Sequence, residues 1–490
     1  QRALRGSYLF GCVYMAWFSW SVHHVGWVPY LAIVFVGGLY FVLGSAAVRA
    51  SHERWRVLAF AVAVGGTFWM RAIMPDIHYP HGQPCHSLWQ WPWLMHIVVV
   101  GGEPLMNALL GLVAAAGYQV VQSHRVAQPA WQPALRTLSV AVAGFLLVAL
   151  CGNLVVADLR PVPSADREVQ IAAIEPGFHP LSLWEPPGFE VNYPRVLADR
   201  LVAPTAELLR QEAALDLILW PESSVMEAVK ASDLDAGRAA ILAGSFPASD
   251  ARLVLGANVR VADDAGAARL SPSAFLVGLP AGRILARHDK QHLVPGGEFV
   301  PLIGWLPASW ASYLRQVCRE TFRTPPDCLA GQPRAPMHTA AGVPFGALIC
   351  YDNAFPGPAA AQVEAGAEFL VVLSNEAWYQ GGAELTQLLS MTVVRAIENT
   401  VPIVRCTLDG KSVAVGSDGS VLAGLEIAPA PQPAARILQV SVGRGTGHIP
   451  PMAWLRWTSG GVFGLITLLS VAHSLWRWVR IRPANTAFPA

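Results

Sequence analysis

The sequence predicts an α/β domain carried on a set of membrane-spanning helices. Of the 490 residues, 53% are hydrophobic and only 14% are charged, whereas average soluble domains carry about 25% charged residues. The charge deficit is concentrated in apolar stretches at the two ends of the chain. Between residues 165 and 445, short β-rich segments alternate with helical ones, which is typical of a layered α/β domain.

Six stretches have the composition of transmembrane helices. Each comes near the ~20 residues that a helix needs to cross the hydrocarbon core of a bilayer. One such stretch could be a buried core helix, but six of them grouped at the two ends favour the membrane. The predicted spans are residues 7–25, 27–48, 57–74, 95–121, 137–157 and 453–476.

Basic residues predict the orientation of these spans, because Lys and Arg are retained on the cytoplasmic side. If the spans alternate in direction, all the arginine clusters fall on one side. These arginines are Arg2, Arg5, Arg49, Arg54, Arg56, Arg125, Arg136, Arg477, Arg480 and Arg482. We therefore expect a multi-pass protein of the bacterial inner membrane with its large domain in the periplasm. The predicted domains are transmembrane helices over 1–160, an extracytoplasmic domain over 165–445, a transmembrane helix over 450–482 and a cytoplasmic tail over 483–490.

The central region reads as strands that are almost continuously apolar, as expected when both faces of a sheet are covered. The predicted strands are "EVQIAAI", "LDLILW", "AAILAGS", "RLVLGANVRV", "PFGALIC", "EFLVVLSN" and "VPIVRCT". A hairpin is predicted over "SAFLVGLPAGRILARHD", a further β segment over "SVAVGSDGSVLA", and helices over 194–213, 357–367 and 384–399. Functional residues are expected where such strands end.

Three ionisable residues follow predicted strands: Glu222, Lys290 and Cys350. Each alone has an ordinary explanation, as a helix cap, a solvated lysine or a packed cysteine. Together they form a coherent chemical set. A thiol with an ordinary pKa near ~8.5 needs a base or a cation to react as a thiolate. A carboxylate can take its proton, and an ammonium can stabilise an oxyanion.

The segments "LILWPESS", "RHDKQHLVPGGEFVP" and "GALICYDNAFP" resemble the nitrilase superfamily, whose catalytic triad Glu222, Lys290 and Cys350 would form. With "SNEAW" and "RAIEN" they resemble its membrane-embedded branch, the apolipoprotein N-acyltransferases. The resemblance covers about residues 167–445. It implies a four-layer αββα sandwich carried on about six visible transmembrane helices. It also implies supporting roles for Glu298, Tyr351, Asp352, Glu376 and Trp378, with Gly296 and Gly297 turning the chain so that Glu298 points inward.

The reaction implied by this resemblance has two steps. Cys350 would take a fatty acyl group from a membrane phospholipid as a thioester, and the N-terminal amine of a diacylglyceryl lipoprotein would then accept it. We expect no cofactor, since no Gly-rich nucleotide loop is present. A net charge of +1 gives no reason to expect nucleic-acid binding. We expect a monomer.

Four positions depart from the family pattern. Asp352 stands where Glu is usual and Glu376 where Asp is usual, while "TLDG" and "QLL" replace other motifs. A different amine acceptor therefore stays open as an alternative. So does a membrane-tethered amidase or nitrilase-type hydrolase with water as acceptor. A catalytically inactive binding protein is the third alternative, and the intact Glu–Lys–Cys set argues against it.

Several other residues leave their roles open at the level of sequence. The loop 75–94 contains His78, His81, Cys85 and His86, which are residue types that bind metal ions. They could ligate a metal or be ordinary loop residues. The same loop holds Trp89, Trp91 and Trp93, which suit a membrane interface or substrate contact. Cys318 and Cys328 could form a local disulfide. Arg395 and Glu398, three residues apart on a helix, could pair.

Overall fold

The computed structural model describes residues 2–125, 131–159, 168–211, 214–229, 244–262, 266–322, 326–426, 432 and 434–481. The chain forms two compact units. One comprises Gln1–Ser19, Tyr30–Val155 and Pro451–Ala490, and the other comprises Trp20–Pro29 and Val156–Pro450. We call them the membrane-helix unit and the sandwich unit.

Long helices build the membrane-helix unit. They are α1 (Arg2–Phe18), α2 (Trp27–Ala50), α3 (Arg56–Ile73), α4 (Val98–Arg125), α5 (Trp131–Leu159) and α11 (Trp454–Ile481). Within the described residues, five segments are long and apolar enough to cross a membrane: Trp27–Ala50, Glu53–Ile73, Val98–His124, Trp131–Leu159 and Trp454–Trp476. The predicted span 7–25 is divided, because α1 ends at Phe18 and a 3-10 helix over Trp20–His24 follows. Helix α3 packs against α4 and α11.

The first sheet of the sandwich unit is mixed. Its strands are β1 (Val169–Glu175), β2 (Leu217–Leu219), β3 (Val225–Val229), β4 (Arg252–Ala262), β5 (Ala268–Gly278), β6 (Arg283–Asp289) and β13 (Arg436–Val442). Their order is β13–β1–β2–β4–β5–β6, with β3 paired to β4. Strands β1, β2 and β4 are parallel. The predicted hairpin is confirmed as β5 and β6, in which Gly278 pairs with Arg283.

The second sheet has a parallel centre. Its strands are β7 (Met337–His338), β8 (Pro344–Ile349), β9 (Phe369–Ser374), β10 (Ile403–Thr407), β11 (Val413–Val415) and β12 (Val421–Gly424). They lie in the order β12–β11–β10–β9–β8–β7. Strands β8, β9 and β10 run parallel. The predicted β segment over "SVAVGSDGSVLA" is the antiparallel pair β11 and β12.

The two sheets pack face to face, and helices cover their outer faces. Because side chains alternate along a strand, Leu217 and Leu219 pack in the core between the sheets, whereas Ile218 packs outward. Its outer cluster includes residues from α6 (Phe189–Leu197), the following π-helical turn and α7 (Ala203–Gln211). On the second sheet, α9 (Pro356–Glu364) packs against β8 and against α10 (Glu384–Asn399). The implied four-layer αββα sandwich is confirmed.

Some elements differ from the sequence prediction. Helix α8 (Ala308–Phe322) and strand β13 were not predicted. Strand β13 lies at the edge of its sheet, so its side chains alternate between buried and exposed rather than forming an apolar run. The predicted strand "AAILAGS" lies largely outside the described residues, and the predicted tail 483–490 lies outside them entirely.

The segment Trp20–Pro29 belongs to the sandwich unit, although the sequence on either side of it belongs to the membrane-helix unit. The hydroxyl oxygen of Ser21 accepts a hydrogen bond from the backbone N–H of Glu384 at 3.4 Å. A Cβ at Gly382 would lie 2.2 Å from that hydroxyl oxygen. Ser21 therefore fills the space directly against the loop that precedes α10.

Candidate active site

Glu222, Lys290 and Cys350 all lie at the carboxyl ends of strands. Glu222 follows β2, Lys290 directly follows β6 and Cys350 directly follows β8. Strands β2 and β6 belong to the first sheet and β8 to the second. The two sheets share one core. The sandwich thus brings side chains from distant parts of the chain to one edge.

Lys290 is the centre of a buried ion cluster. Its Nζ donates to Oε1 of Glu222 at 2.9 Å and to Oε1 of Glu298 at 2.7 Å, and its side chain is only 1% exposed. Burial alone would lower the pKa of Lys290, but the two carboxylates and Cys350 raise that pKa well above its ordinary value. Lys290 is therefore an ammonium at neutral pH.

Cys350 occupies a strained turn. It begins a 3-10 helix over Cys350–Ala354, and its φ of +49° is in the left-handed region, which costs a non-glycine residue about 1–3 kcal/mol. Burial raises the pKa of the Cys350 thiol, the Glu222 carboxylate raises it further, and Lys290 lowers it, with a net rise. The resting group is thus a thiol, and its activation requires a base.

Asp352 ties the loop after Lys290 to the turn that carries Cys350. Its carboxylate is fully buried. Its Oδ1 accepts from the backbone N–H of His292 at 2.7 Å and of Gln291 at 3.1 Å. Its Oδ2 accepts from the N–H of Ile349 at 3.3 Å. The shorter side chain at this position therefore still spans the two segments.

Both carboxylate oxygens of Glu298 accept hydrogen bonds. Its Oε2 accepts from the backbone N–H of Val294 at 2.8 Å, while its Oε1 accepts from Lys290. Burial raises the pKa of Glu298, Lys290 lowers it and Glu222 raises it, with a net rise. The turn at Gly296, with φ +83°, directs Glu298 inward as predicted.

Glu376 lies in a separate buried ion pair. Its carboxylate accepts from the guanidinium of Arg405 and, at 3.2 Å, from the backbone N–H of Lys411. Burial raises the pKa of Glu376 and Arg405 lowers it, with a net rise. The longer side chain is accommodated because it reaches Arg405 on β10.

Aromatic residues pack beside the Cys350 turn. Tyr351 packs edge-on against Phe355 at 5.0 Å, and Phe355 stacks on the ring of His292 at 4.0 Å. Trp378 packs edge-on against His179 at 5.2 Å. An apolar cluster of Tyr351, Phe355 and residues of α10 therefore stands directly behind the Cys350 turn.

The contacts of Asn375 and Gly256 with Glu222 were not predicted from the sequence. The backbone N–H of Asn375, just after β9, donates to Oε2 of Glu222 at 3.0 Å. The side-chain oxygen of Asn375 is buried without a hydrogen-bond partner among the described residues. A Cβ at Gly256 would lie 2.6 Å from Cα of Glu222, so β4 requires glycine there. The position of Asn375 at a strand end was the signal that could have found it.

Two further sequence predictions concern a disulfide and an ion pair on α10. Cys318 and Cys328 are both free cysteines, so the structure contains no disulfide between them. The pairing of Arg395 with Glu398 is confirmed, with Nε of the arginine 3.1 Å from Oε2 of the glutamate.

Two family models match this chain. Residues 197–428 match the carbon-nitrogen hydrolase domain, and residues 1–116 match the apolipoprotein N-acyltransferase N-terminal domain. An apolipoprotein N-acyltransferase of Geobacter metallireducens is 27% identical over 400 residues, which cover 80% of this chain and 70% of that protein. An apolipoprotein N-acyltransferase of Caulobacter vibrioides is 27% identical over 421 residues, which cover 82% of this chain and 72% of that protein. The chain belongs to the apolipoprotein N-acyltransferase family.

As a member of the apolipoprotein N-acyltransferases, the chain is a multi-pass membrane acyltransferase with a carbon-nitrogen hydrolase domain. Among solved structures, an amidase from Nesterenkonia sp. is similar, with 20% identity and a TM-score of 0.40. The similarity covers 61% of this chain and 99% of the amidase.

Proposed function

We propose that this chain transfers a fatty acyl group from a membrane phospholipid to the N-terminal amine of a lipoprotein, through a thioester on Cys350. The acceptor class follows from the name that the relatives share. The observation that carries the chemistry is the buried cluster of Glu222, Lys290 and Glu298, whose charges act on the thiol of Cys350. This cluster contains two carboxyl groups and only one ammonium, so one carboxylate can accept a proton from the nucleophile.

In the first half-reaction, Glu222 acts as the general base. It takes the proton of Cys350 as Sγ attacks the ester carbonyl of the phospholipid. Lys290 cannot be the base, because its raised pKa keeps it protonated. Its ammonium, together with the backbone N–H of Tyr351, stabilises the oxyanion. The tetrahedral intermediate collapses, Glu222 returns the proton to the departing oxygen, and a lysophospholipid leaves.

In the second half-reaction, the amine attacks the thioester carbonyl. Glu222 takes a proton from the attacking nitrogen, the C–S bond breaks, and the proton returns to Cys350 as the amide is released. No external energy source is needed, because the thioester retains the transfer potential of the original ester. Glu298, which accepts from both Lys290 and Val294, positions the ammonium in both steps.

The cellular setting is part of the proposal. We place the protein in the bacterial inner membrane as a monomer, with the sandwich unit on the periplasmic side. The arginine-rich loops support this orientation. The five apolar helices support a lipid as the acyl donor, because a soluble amide would not require a membrane-embedded enzyme.

Mass spectrometry of the purified full-length protein tests the proposal. Incubation with a phospholipid of known acyl chains is expected to add one acyl group to the peptide that contains Cys350, and Cys350→Ala abolishes this adduct. A diacylglyceryl peptide with a free N-terminal amine then removes the adduct and gains an amide-linked chain. The same peptide with an acetylated N-terminus is the matched control and leaves the adduct in place.

Three outcomes would contradict the proposal. No adduct on wild-type Cys350 would exclude the thioester. An adduct that is released as free fatty acid at the same rate with and without the peptide would identify a hydrolase. Transfer to another amine, but not to the lipidated peptide, would identify a different acceptor.

A further inference from the structure

A second cluster of chemically active side chains lies in the membrane-helix unit. Cys85 and His86 lie in the loop between α3 and α4, and Glu103 lies near the start of α4. The thiol sulfur, an imidazole nitrogen and a carboxylate oxygen all lie within 4.8 Å of one another. The three residues are buried, at 0%, 5% and 7% exposure. The proposed acyl transfer uses none of them.

The histidine presents the geometry of a metal ligand. Nε2 of His86 lies 2.8 Å from Oε1 of Glu103, and as an N–H it donates to that carboxylate. The other ring nitrogen, Nδ1, is buried without a hydrogen-bond partner among the described residues. A neutral imidazole that donates one N–H carries a lone pair on its other nitrogen. Ligating histidines are commonly oriented in this way by a carboxylate.

Neighbouring amides hold the cluster in place. Gln83 Nε2 donates to Oε2 of Glu103 at 3.0 Å, and Asn107 Nδ2 donates to Oε1 of Gln83 at 2.6 Å. The side-chain oxygen of Asn107 accepts from the backbone N–H of Cys85 at 2.9 Å. One network therefore supports both the thiol segment and the carboxylate. Such surrounding hydrogen bonds are typical of residues that bind a metal.

The backbone of α4 is adapted to this arrangement. Gly102 has φ +63° inside the helix, in the left-handed region that favours glycine. Pro104 follows two residues later and cannot donate a helical hydrogen bond. The interruption at Gly102 turns Glu103 toward the loop. An ionisable group in a membrane-spanning helix marks a functional site in most cases.

We infer that the thiol of Cys85 and the imidazole of His86 bind a borderline divalent metal ion of the zinc class, with Glu103 orienting the imidazole through the hydrogen bond from Nε2. Thiolate and imidazole select such ions, whereas Mg²⁺ and Ca²⁺ prefer sets of oxygen ligands. Binding releases the thiol proton, and the hydrogen bond from His86 to Glu103 links the metal-binding loop to α4.

Metal analysis of the full-length protein tests this inference. Protein from zinc-supplemented cells, purified without chelator, is expected to retain about one equivalent of Zn²⁺. Cys85→Ser removes a ligand and abolishes this retention, whereas Glu103→Gln removes the carboxylate that orients His86 and weakens binding by about 10–100-fold. Cys151→Ser, at an exposed cysteine on α5, is the matched control and keeps the metal. Loading with Co²⁺ is expected to give a thiolate-to-cobalt charge-transfer band that Cys85→Ser removes.

The wild-type protein alone can overturn the inference. If it retains no Zn²⁺ after loading and gives no thiolate-to-cobalt band, the cluster is a hydrogen-bonded clasp and not a metal site. The same holds if Cys85→Ser, still monodisperse in detergent, binds Zn²⁺ as tightly as the wild type. Because the wild-type spectrum decides by itself, a variant that fails to fold does not obscure the result.

Discussion

At the scale of single residues, the candidate site combines the protonated thiol of Cys350 with charged groups that are fixed by hydrogen bonds. The three residues Glu222, Lys290 and Cys350 could be predicted because their types and order match a motif. The left-handed backbone of Cys350 and Ser223 could not, because it depends on how the two sheets meet. Nor could the side-chain oxygen of Asn375, which has no hydrogen-bond partner within the described part of the chain, because a missing partner is visible only once the neighbouring residues are known.

Removing the charge of Glu222 is expected to speed the alkylation of Cys350 and to slow acyl transfer. Since this carboxylate raises the pKa of Cys350, Glu222→Gln is expected to lower that pKa. Alkylation of Cys350 by iodoacetamide at pH 8 then becomes several-fold faster than in the wild type. Acyl transfer falls by about 100-fold or more, because the general base is lost. Peptide mass spectrometry of the alkylated protein measures the first change.

Lys290→Met is the matched counterpart of this substitution. Lys290 lowers the pKa of Cys350, so its removal is expected to slow alkylation. Equal alkylation rates in both variants and the wild type would show that these charges do not control the thiol.

Two buried asparagines provide a matched test of hydrogen-bond satisfaction. Asn353 Nδ2 donates to the carbonyl of Leu388 at 3.1 Å, and its side-chain oxygen accepts from Thr392 at 3.2 Å. Asn353→Ala therefore leaves buried partners unsatisfied, at a cost of about 1–3 kcal/mol. Asn375→Ala removes a side-chain oxygen that has no partner among the described residues, and keeps the backbone N–H that contacts Glu222. We expect a lower apparent melting temperature for Asn353→Ala only. A drop of the same size in both variants contradicts this reading.

At the scale of elements, apolar runs predicted the central strands because both of their faces are covered. Strand β1 shows this, with Ile171 and Ile174 packing on opposite faces of its sheet. Strand β13 was missed because it is an edge strand whose partner, β1, lies more than 200 residues away. Local pattern carries no information about such pairing. Strand β6, in turn, positions Lys290 through the contacts of its last residue, Asp289.

Asp289 anchors the end of β6 in a pH-dependent way. Its carboxylate accepts from Ser273 at 2.6 Å and from Arg334 at 2.7 Å. Burial raises the pKa of Asp289, but the Ser273 hydrogen bond and the charges of Arg287 and Arg334 outweigh it and lower that pKa below the ordinary value. The stabilisation is therefore present above the ordinary pKa of ~3.9 and is lost as pH falls through the lower folded pKa.

Asp289→Asn should consequently destabilise the protein by about 1.5–3 kcal/mol at pH 7. The difference in apparent melting temperature from the wild type narrows as the pH falls below about 4. Thermal unfolding in detergent across this pH range measures it. Asp250→Asn, at an exposed aspartate, serves as the control and shows no difference at either pH. If the difference in apparent melting temperature between Asp289→Asn and the wild type is constant with pH, the effect is due to packing and not to the charge of Asp289.

For the whole molecule, composition predicted the apolar helices, and charge predicts which ends are cytoplasmic. The division of the chain into units depends on contacts between distant segments, so the place of Trp20–Pro29 in the sandwich unit was not predictable. Apolar character also could not show that α1 ends at Phe18, because aromatic residues continue beyond it.

Reporter insertions test the proposed orientation. Alkaline phosphatase, which folds only in an oxidising compartment, is expected to be active when inserted after residue 250 and inactive after residue 128. Green fluorescent protein at the same two positions gives the reverse pattern and acts as the internal control. Active phosphatase after residue 128 would invert the proposed topology, since the basic flanks Arg125 and Arg136 should remain cytoplasmic.

The contact of Ser21 with the loop before α10 limits how this enzyme can be dissected. A water-soluble fragment that starts near residue 165 would discard Ser21 and leave a notch beside Gly382, next to the segment that carries Trp378. Such a fragment should regain its native loop only when a synthetic peptide spanning 20–29 is added back. The catalytic part of this polypeptide is therefore not one uninterrupted stretch, and its first ten residues are encoded ahead of most of the apolar helices.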